Sequence, residues 1–430
     1  MEEKNLLYKD RLLDKQLVKH LKTFGAVEIV GTMWCGKTWM AEAHGSSKIN
    51  LSDPKTKAII EADHSLAFEG GKPHVIDEWQ EIPALWDAVR LAVDAKAGEK
   101  GLFILTGSST PKKGETSHSG TGRISRLHLR PMSLFETGDS DGKVSLGELF
   151  NGSFKKTRAE TDLKKLSFLI CKGGWPGALN MEIDDTQLIP NQYLDTLISF
   201  IGKKNEANEY RLRRFLVSLA RNIGQAVTYN TIAADITGDE VENRKDSAAK
   251  QQIETLLAVF KDRFIIEDLF GWDAPVRSKS RVRLKAKHCF VDPSLTASLL
   301  GVNEERLLQD GQLFGKLFEE LVLRDLRIYA SAMDNALPEP VRYYRDSDNL
   351  EVDAIIELRD GRWAGIEIKL SENKVKEGID NLLRLKNKVM SNPAARNPEP
   401  AFLAVICGKA DFCRISPEGV YVFPITSLTA

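Results

Sequence analysis

Residues 31–38 read Gly-Thr-Met-Trp-Cys-Gly-Lys-Thr, a glycine-framed run closed by lysine and threonine that suits a polyphosphate ligand. Gly31 and Gly36 let the backbone curl, so that N–H groups through Thr32, Met33, Trp34 and Cys35 face phosphate oxygens. Lys37 is then the charge for the β- and γ-phosphates, and the Thr38 hydroxyl a ligand for magnesium. His74-Val-Ile-Asp-Glu78 ends in two adjacent carboxylates. Asp77 is expected to hold magnesium through water, and Glu78 to polarise the attacking water. Leu102-Phe-Ile-Leu-Thr106 leads into Gly107-Ser108 and places Thr106 where a γ-phosphate can be sensed. Arg123 is the expected arginine finger, in cis or in trans, with Arg126 and Arg130 following it. The ligands implied are ATP and magnesium.

A second set of carboxylates lies near the C-terminus. Leu350–Leu358 and Arg362–Leu370 are strand-like runs joined through Arg359-Asp-Gly361. A two-residue turn would put Asp353 and Glu367 on opposite faces. A three-residue loop with Gly361 left-handed pairs Leu358 with Arg362 and Asp353 with Glu367. Only this second register gathers Val352, Ala354, Ile356, Ala364, Ile366 and Ile368 on one apolar face, so the pattern selects it. The other face carries Glu351, Asp353, Glu367 and Lys369. Opposed carboxylates repel unless a cation sits between them. Asp353, Glu367 and Lys369 thus form the Asp…Glu-x-Lys arrangement of a metal-dependent nuclease, and Glu319, on a helix over about 312–330, is a further metal ligand.

Between these sets, basic residues alternate: Arg277, Lys279, Arg281, Arg283, Lys285 and Lys287. On a strand they would share one face at a repeat of about 6.6 Å, a basic ridge for nucleic-acid phosphates, probed as DNA. The alternative is an edge strand protected by its charges. Helical periods over Tyr210–Asn222, 229–236 and 244–261, then a strand at Phe264–Leu269, give the order of a winged helix.

The elements that must position these residues are buried parallel strands, read from short apolar runs such as Ala26-Val-Glu-Ile-Val30, each followed by a helix. A chain of 430 residues exceeds one core and implies several domains. The boundaries expected are 1–160 for a P-loop domain, 161–205 for a helical lid around Gly173-Gly-Trp-Pro-Gly177, 206–288 for the winged-helix region and 289–430 for the nuclease-like domain. The net charge of −1 excludes a uniformly basic coat, so nucleic acid must be met by a local patch. Cysteines at 35, 171, 289, 407 and 413 make no CxxC pair, which argues against a disulfide framework or zinc site. With no leader pattern and no long apolar run, the expected location is the cytoplasm, without membrane contact. A finger acting in trans would require a homo-oligomer.

These motifs together resemble the bacterial and archaeal AAA-type ATPases that carry a C-terminal domain of unknown function 4143. The resemblance rests on Gly31–Thr38, Val75-Ile-Asp-Glu-Trp-Gln80, Leu105-Thr-Gly-Ser108, Gly122-Arg123 with Pro131-Met-Ser-Leu134, Phe290-Val-Asp-Pro-Ser-Leu295, Phe318-Glu319, Glu351-Val-Asp353 and Glu367-Ile-Lys369. It implies an α/β protein: an AAA-type parallel-sheet domain, a winged-helix region and a restriction-endonuclease-like domain. Thr32-Met33 stand where many members have Pro-Arg; main-chain contacts to phosphate survive that change, a side-chain contact does not. Two functions follow as expectations, an ATPase coupled to nucleic-acid binding with a nuclease-like end, or an ATP-switched regulatory protein whose C-terminal domain is scaffold.

Overall fold

The computed structural model describes residues 8–430 except 97, 109–119, 180–184, 206, 207, 226 and 238–245. The chain separates into two units, residues 1–132 with 260–265, and residues 133–259 with 266–430.

The first unit is built on five strands: β1 (Ala26–Val30), β2 (Ser47–Asn50), β3 (His74–Asp77), β4 (Phe103–Gly107) and β5 (Ile124–His128). They are all parallel, in the order β2-β3-β4-β1-β5. β1 is an interior strand between β4 and β5 and is buried at every position, its one carboxylate, Glu28, included. Helices α1 (Asp14–Thr23), α2 (Lys37–His44) and α3 (Leu85–Ala95) are among those that cover the sheet. α3 buries Leu85, Trp86 and Val89 at helical spacing against Trp79, Phe103 and their neighbours. In a parallel sheet the loops that follow strand C-termini share one edge, so the turns after β1, β3 and β4 converge there.

The second unit begins with a mainly helical stretch. Three helices, α4 (Glu209–Arg221), α5 (Tyr229–Thr237) and α6 (Asp246–Lys261), precede the antiparallel pair β6 (Ile266–Leu269) and β7 (Lys287–Phe290). Residues 244 and 245, expected in the third helix, lie outside the described residues. The expected lid helices run Leu163–Lys172 and Leu188–Asn205, and the glycine-rich loop between them is held by Asp292, which accepts from Gly174 N–H at 3.0 Å.

The basic ridge is not a strand. Pro275 and Ser278 turn the chain, Ser280–Arg283 form one short helix, and β7 starts only at Lys287. A helical turn destroys the every-second-residue face. Arg281 is instead consumed by Glu357, with guanidinium nitrogens 2.7 and 2.9 Å from its two oxygens. Lys285 donates to the Val227 carbonyl. Lys287 is buried, its ammonium 2.5 Å from Glu351. Arg277, Lys279 and Arg283 are exposed, as are Val276 and Val282.

The rest of the unit is a seven-stranded sheet. Helix α7 (Gly311–Ala332) leads to β8 (Ala336–Arg345), β9 (Glu351–Leu358) and β10 (Trp363–Lys369), then α8 (Val375–Met390) and β11 (Phe402–Cys407). β12 (Phe412–Ile415), β13 (Tyr421–Pro424) and the two-residue strand Thr157–Arg158 complete the order β8-β9-β10-β11-β13-β12 and Thr157–Arg158. A separate parallel pair joins Val144–Ser145 to Leu428–Thr429. The β9–β10 hairpin has the register that the apolar pattern selects: Ala354 faces Ile366, Ile356 faces Ala364, and Leu358 N–H donates to the Arg362 carbonyl. Gly361 closes the loop at φ 84°, a conformation that side chains with Cβ resist. All five cysteines are buried thiols.

Candidate nucleotide site and carboxylate cluster

The loop after β1 is shaped by close approach. A Cβ on Gly31 would lie 2.1 Å from the Leu129 carbonyl oxygen, and Gly36 caps α2 at φ 99°. Cys35 is buried beneath the loop and its thiol donates to Leu129 O at 3.3 Å. Arg11 braces the same place, donating to the carbonyls of Cys35 at 2.9 Å and Arg130 at 2.8 Å. Lys37 is buried and curls back to donate to Thr32 O at 2.8 Å. Trp34 is held at φ 63° and half exposed.

Asp77 ties the three turns together. Its Oδ1 accepts from Thr38 Oγ1 at 2.8 Å and from Thr106 Oγ1 at 2.5 Å. Its Oδ2 lies 3.0 Å from the Lys48 ammonium, which also reaches Glu42 at 2.5 Å. Lys48 keeps its proton well: partial burial pulls its pKa down, but Glu42 and Asp77 outweigh this and raise it. Thr106 is fully buried and accepts from Glu78 N–H at 3.2 Å, so its hydroxyl bridges the two carboxylate residues. Glu78 takes φ 56°, and its Oε2 accepts from Ser108 Oγ at 3.2 Å and from Gln80 Nε2. A threonine hydroxyl touching a carboxylate beside a cradle of N–H groups is a donor set that fits a magnesium–nucleotide.

Arg123 is not part of this arrangement. Ala26, the first residue of β1, pairs with Ile124, so Arg123 precedes β5 at the edge of the sheet opposite the loop. Five residues of strand, about 17 Å, separate the two edges. Arg123 instead pairs with Asp94 at 2.8 Å and is half exposed. Arg126, within β5, pairs with Glu28 at 2.7 Å. Of the three arginines, Arg130 alone lies beyond the end of β5 that carries the loop. Sequence adjacency gave no hint of which strand end each occupies.

In the second unit the hairpin brings Asp353 beside the end of β10, where its Oδ2 accepts from Ile368 N–H at 2.8 Å. Glu367 is buried, with Lys369 Nζ 2.6 Å from Oε2 and Asn381 of α8 donating to Oε1 at 3.4 Å. Glu319 of α7 joins the group through Lys287, whose ammonium is 3.9 Å from its Oε1 and 2.5 Å from Glu351. Burial, and then the charge of Asp353, push Glu367 up to about 8 and Glu319 up to about 7. Burial likewise raises Asp353. Lys369 and Lys287 are raised despite burial, because the carboxylates outweigh it. Four carboxylates thus share the buried ammonium of Lys287 and the partly buried one of Lys369, and Glu319 Oε1 is buried without a hydrogen-bond donor. That charge imbalance fits a divalent cation. The geometry is not a closed chelate: among the described residues no group of three or more His, Cys, Asp or Glu is arranged to hold a metal ion. Glu319, Asp353 and Glu367 are neighbours whose oxygens are directed to lysines and a backbone N–H rather than to one common point.

Lys48 and Arg11 were not singled out by sequence, Gln80 and Ser108 were named only within motifs, and Lys287 was assigned to the basic ridge. Lys48 carried a usable signal, a lysine in a strand flanking the one that ends in Asp77.

Residues 23–138 match the model of an AAA domain, residues 163–306 a domain of unknown function 8612, and residues 314–428 a domain of unknown function 4143. Uncharacterized proteins of Mycobacterium tuberculosis and Mycobacterium bovis are each 24% identical over 352 residues, covering 80% of this chain and 70% of theirs. Among solved structures, the Walker-type ATPase PABY2304 of Pyrococcus abyssi has 13% identity and a TM-score of 0.41, covering 68% of this chain and 96% of that one. No helix among the described residues is long and apolar enough to cross a membrane.

Proposed function

We propose that this chain, an AAA-type P-loop ATPase by its N-terminal domain and a bearer of domain 4143 at its C-terminus, couples ATP turnover to a nuclease-like site acting on nucleic acid. The observation that carries the ATP reading is the Thr38–Asp77 hydrogen bond, which joins the phosphate loop to the carboxylate strand at 2.8 Å. Lys37 and Thr38 would hold the phosphates and magnesium, with Asp77 behind them. A bound magnesium would supply charge neutralisation at the phosphates. Glu78 orients the attacking water from the edge where Thr106 and Ser108 fix it. Arg130 takes the place that Arg123 was expected to fill within one chain.

The nuclease reading is supported by element order and side-chain placement. Helix, three antiparallel strands, helix and parallel strand run from α7 to β11, with Glu319 on the first helix, Asp353 on the second strand and Glu367-Ile-Lys369 on the third. Lys369 is within reach of Glu367 to activate a water. Exposed Arg277, Lys279 and Arg283 on the loop before β7 would contact phosphates, in a region whose three helices and β-pair have winged-helix order. One observation favours the rival, a regulatory ATPase with a scaffold C-terminal domain: Lys287 and Lys369 already neutralise half of the cluster.

The deciding experiment is cleavage of single- and double-stranded DNA with magnesium or manganese, with and without ATP, for wild type, Glu367→Ala and Lys37→Ala. Cleavage lost in Glu367→Ala supports the nuclease, and loss in Lys37→Ala as well supports coupling. ATP hydrolysis without cleavage under any condition favours the regulatory reading.

A further inference from the structure

The buried interior of a parallel sheet is a costly place for a carboxylate. Glu28 occupies it, fully buried on β1. Burial raises its pKa above the ordinary glutamate value, and Arg126 and Trp79 offset part of that rise. Each oxygen has a donor: Trp79 Nε1 lies 3.0 Å from Oε1, and Arg126 Nε lies 2.7 Å from Oε2. A pair between a buried carboxylate and a half-exposed arginine contributes little stability relative to apolar packing. Stability alone therefore does not account for Glu28.

The indole bond points to a second role. Trp79 directly follows Glu78, whose backbone sits at φ 56°, a region that residues with Cβ rarely occupy. Trp79–Glu81 then form a single tight turn. The indole is fully buried, 4.9 Å from the ring of Trp86, and a Cβ on Gly107 would come within 3.1 Å of its Nε1. It is wedged beneath the tip of β4 with its N–H fixed by Glu28. The strained residue before it inherits that fixed position.

We propose that Glu28 is a positioning residue for ATP hydrolysis, holding the Glu78 backbone in its left-handed conformation through the Trp79 indole. The inference rests on Glu78 being the residue that orients the attacking water. Arg126, half exposed, neutralises Glu28 from the far side and does not itself enter the nucleotide site.

The test is steady-state ATP hydrolysis by the full chain, with affinity for a fluorescent ADP analogue and a thermal midpoint measured in parallel. Glu78→Gln lowers kcat by about a hundredfold or more. Glu28→Leu lowers kcat by about tenfold, with KM and analogue affinity unchanged and a modest fall in thermal midpoint from the indole N–H left without its acceptor. Glu28→Gln keeps an acceptor for the indole and recovers most of the rate. Trp79→Phe lowers kcat like Glu28→Leu, and the double variant is no slower than either single one. Wild-type kcat in Glu28→Leu or in Trp79→Phe, with Glu78→Gln impaired, overturns the proposal. So does a Glu28→Leu defect that appears as lost analogue affinity. Wild-type kcat in Glu78→Gln overturns instead the reading on which the proposal rests. Trp79→Phe retains the charge pair, so it carries the test should Glu28→Leu fail to fold.

Discussion

Replacing Arg281 with methionine separates a structural arginine from a nucleic-acid contact. Its guanidinium makes two bonds to Glu357, at 2.7 and 2.9 Å, and both side chains are about nine-tenths buried. The remaining donor to Glu357 is Trp272 Nε1 at 3.2 Å, and the guanidinium stacks 5.6 Å over the same indole. Loss of Arg281 leaves a buried carboxylate with one neutral donor, which costs about 3–5 kcal/mol. For a unit of this size each kcal/mol moves the thermal midpoint by about 2–4 °C, so the transition of the second unit falls by roughly 6–20 °C. The double change Arg281→Met, Glu357→Met removes the charge along with its partner and recovers most of the loss, a coupling visible in a double-mutant cycle. The assay is calorimetric unfolding beside DNA binding at temperatures where both proteins are folded. Unchanged stability in Arg281→Met, with DNA affinity and its salt slope both reduced, would refute the argument and restore the basic ridge.

Other consequences are open to measurement. Arg130→Ala lowers kcat for ATP by about tenfold or more, whereas Arg123→Ala, measured below any concentration that promotes association, leaves it unchanged. Rates as a function of protein concentration distinguish a cis from a trans arginine. Glu320 is buried, accepts from Phe290 N–H and Thr296 Oγ1 at 2.7 Å each, and is pushed up to about 8, chiefly by burial. Its folded-state pKa exceeds the ordinary value of 4.5, so the native state binds the extra proton. Its contribution is full below about pH 4.5 and is lost as pH rises toward 8. Glu320→Gln flattens that decline in denaturant-measured stability; an identical pH slope in the variant would contradict the assignment.

The parts of this molecule that were legible in sequence are those in which a local pattern has one geometric solution. The glycine-framed loop needs a strand before it and a helix after it, and Ala26–Val30 and Lys37–His44 supply them. The β9–β10 register followed because a one-residue slip would turn six apolar side chains outward. Alternation failed as a guide at 277–287, where charges alternate in sequence but Val276 and Val282 are exposed and no buried face enforces a strand; Pro275 and the Arg281–Glu357 pair decide the path instead. Arg123 was misplaced for a different reason. Which end of a strand faces a loop depends on register with β1, a relation between residues about a hundred apart. Lys287 reaches Glu351 through comparable long-range pairing, and nothing beside it in the chain signals it.

The parallel pairing of Val144–Ser145 with Leu428–Thr429, and the antiparallel pairing of Thr157–Arg158 with Phe412–Cys413, bear on how the chain is made. The five strands of the first unit's sheet all lie before residue 129, so they can pair while synthesis continues. Residues 144–158 must then wait through more than 250 further residues for their partners. Their short strands stay unpaired through that interval, exposed to capture by other chains. The strands of the first sheet are thus all made long before those of the C-terminal sheet.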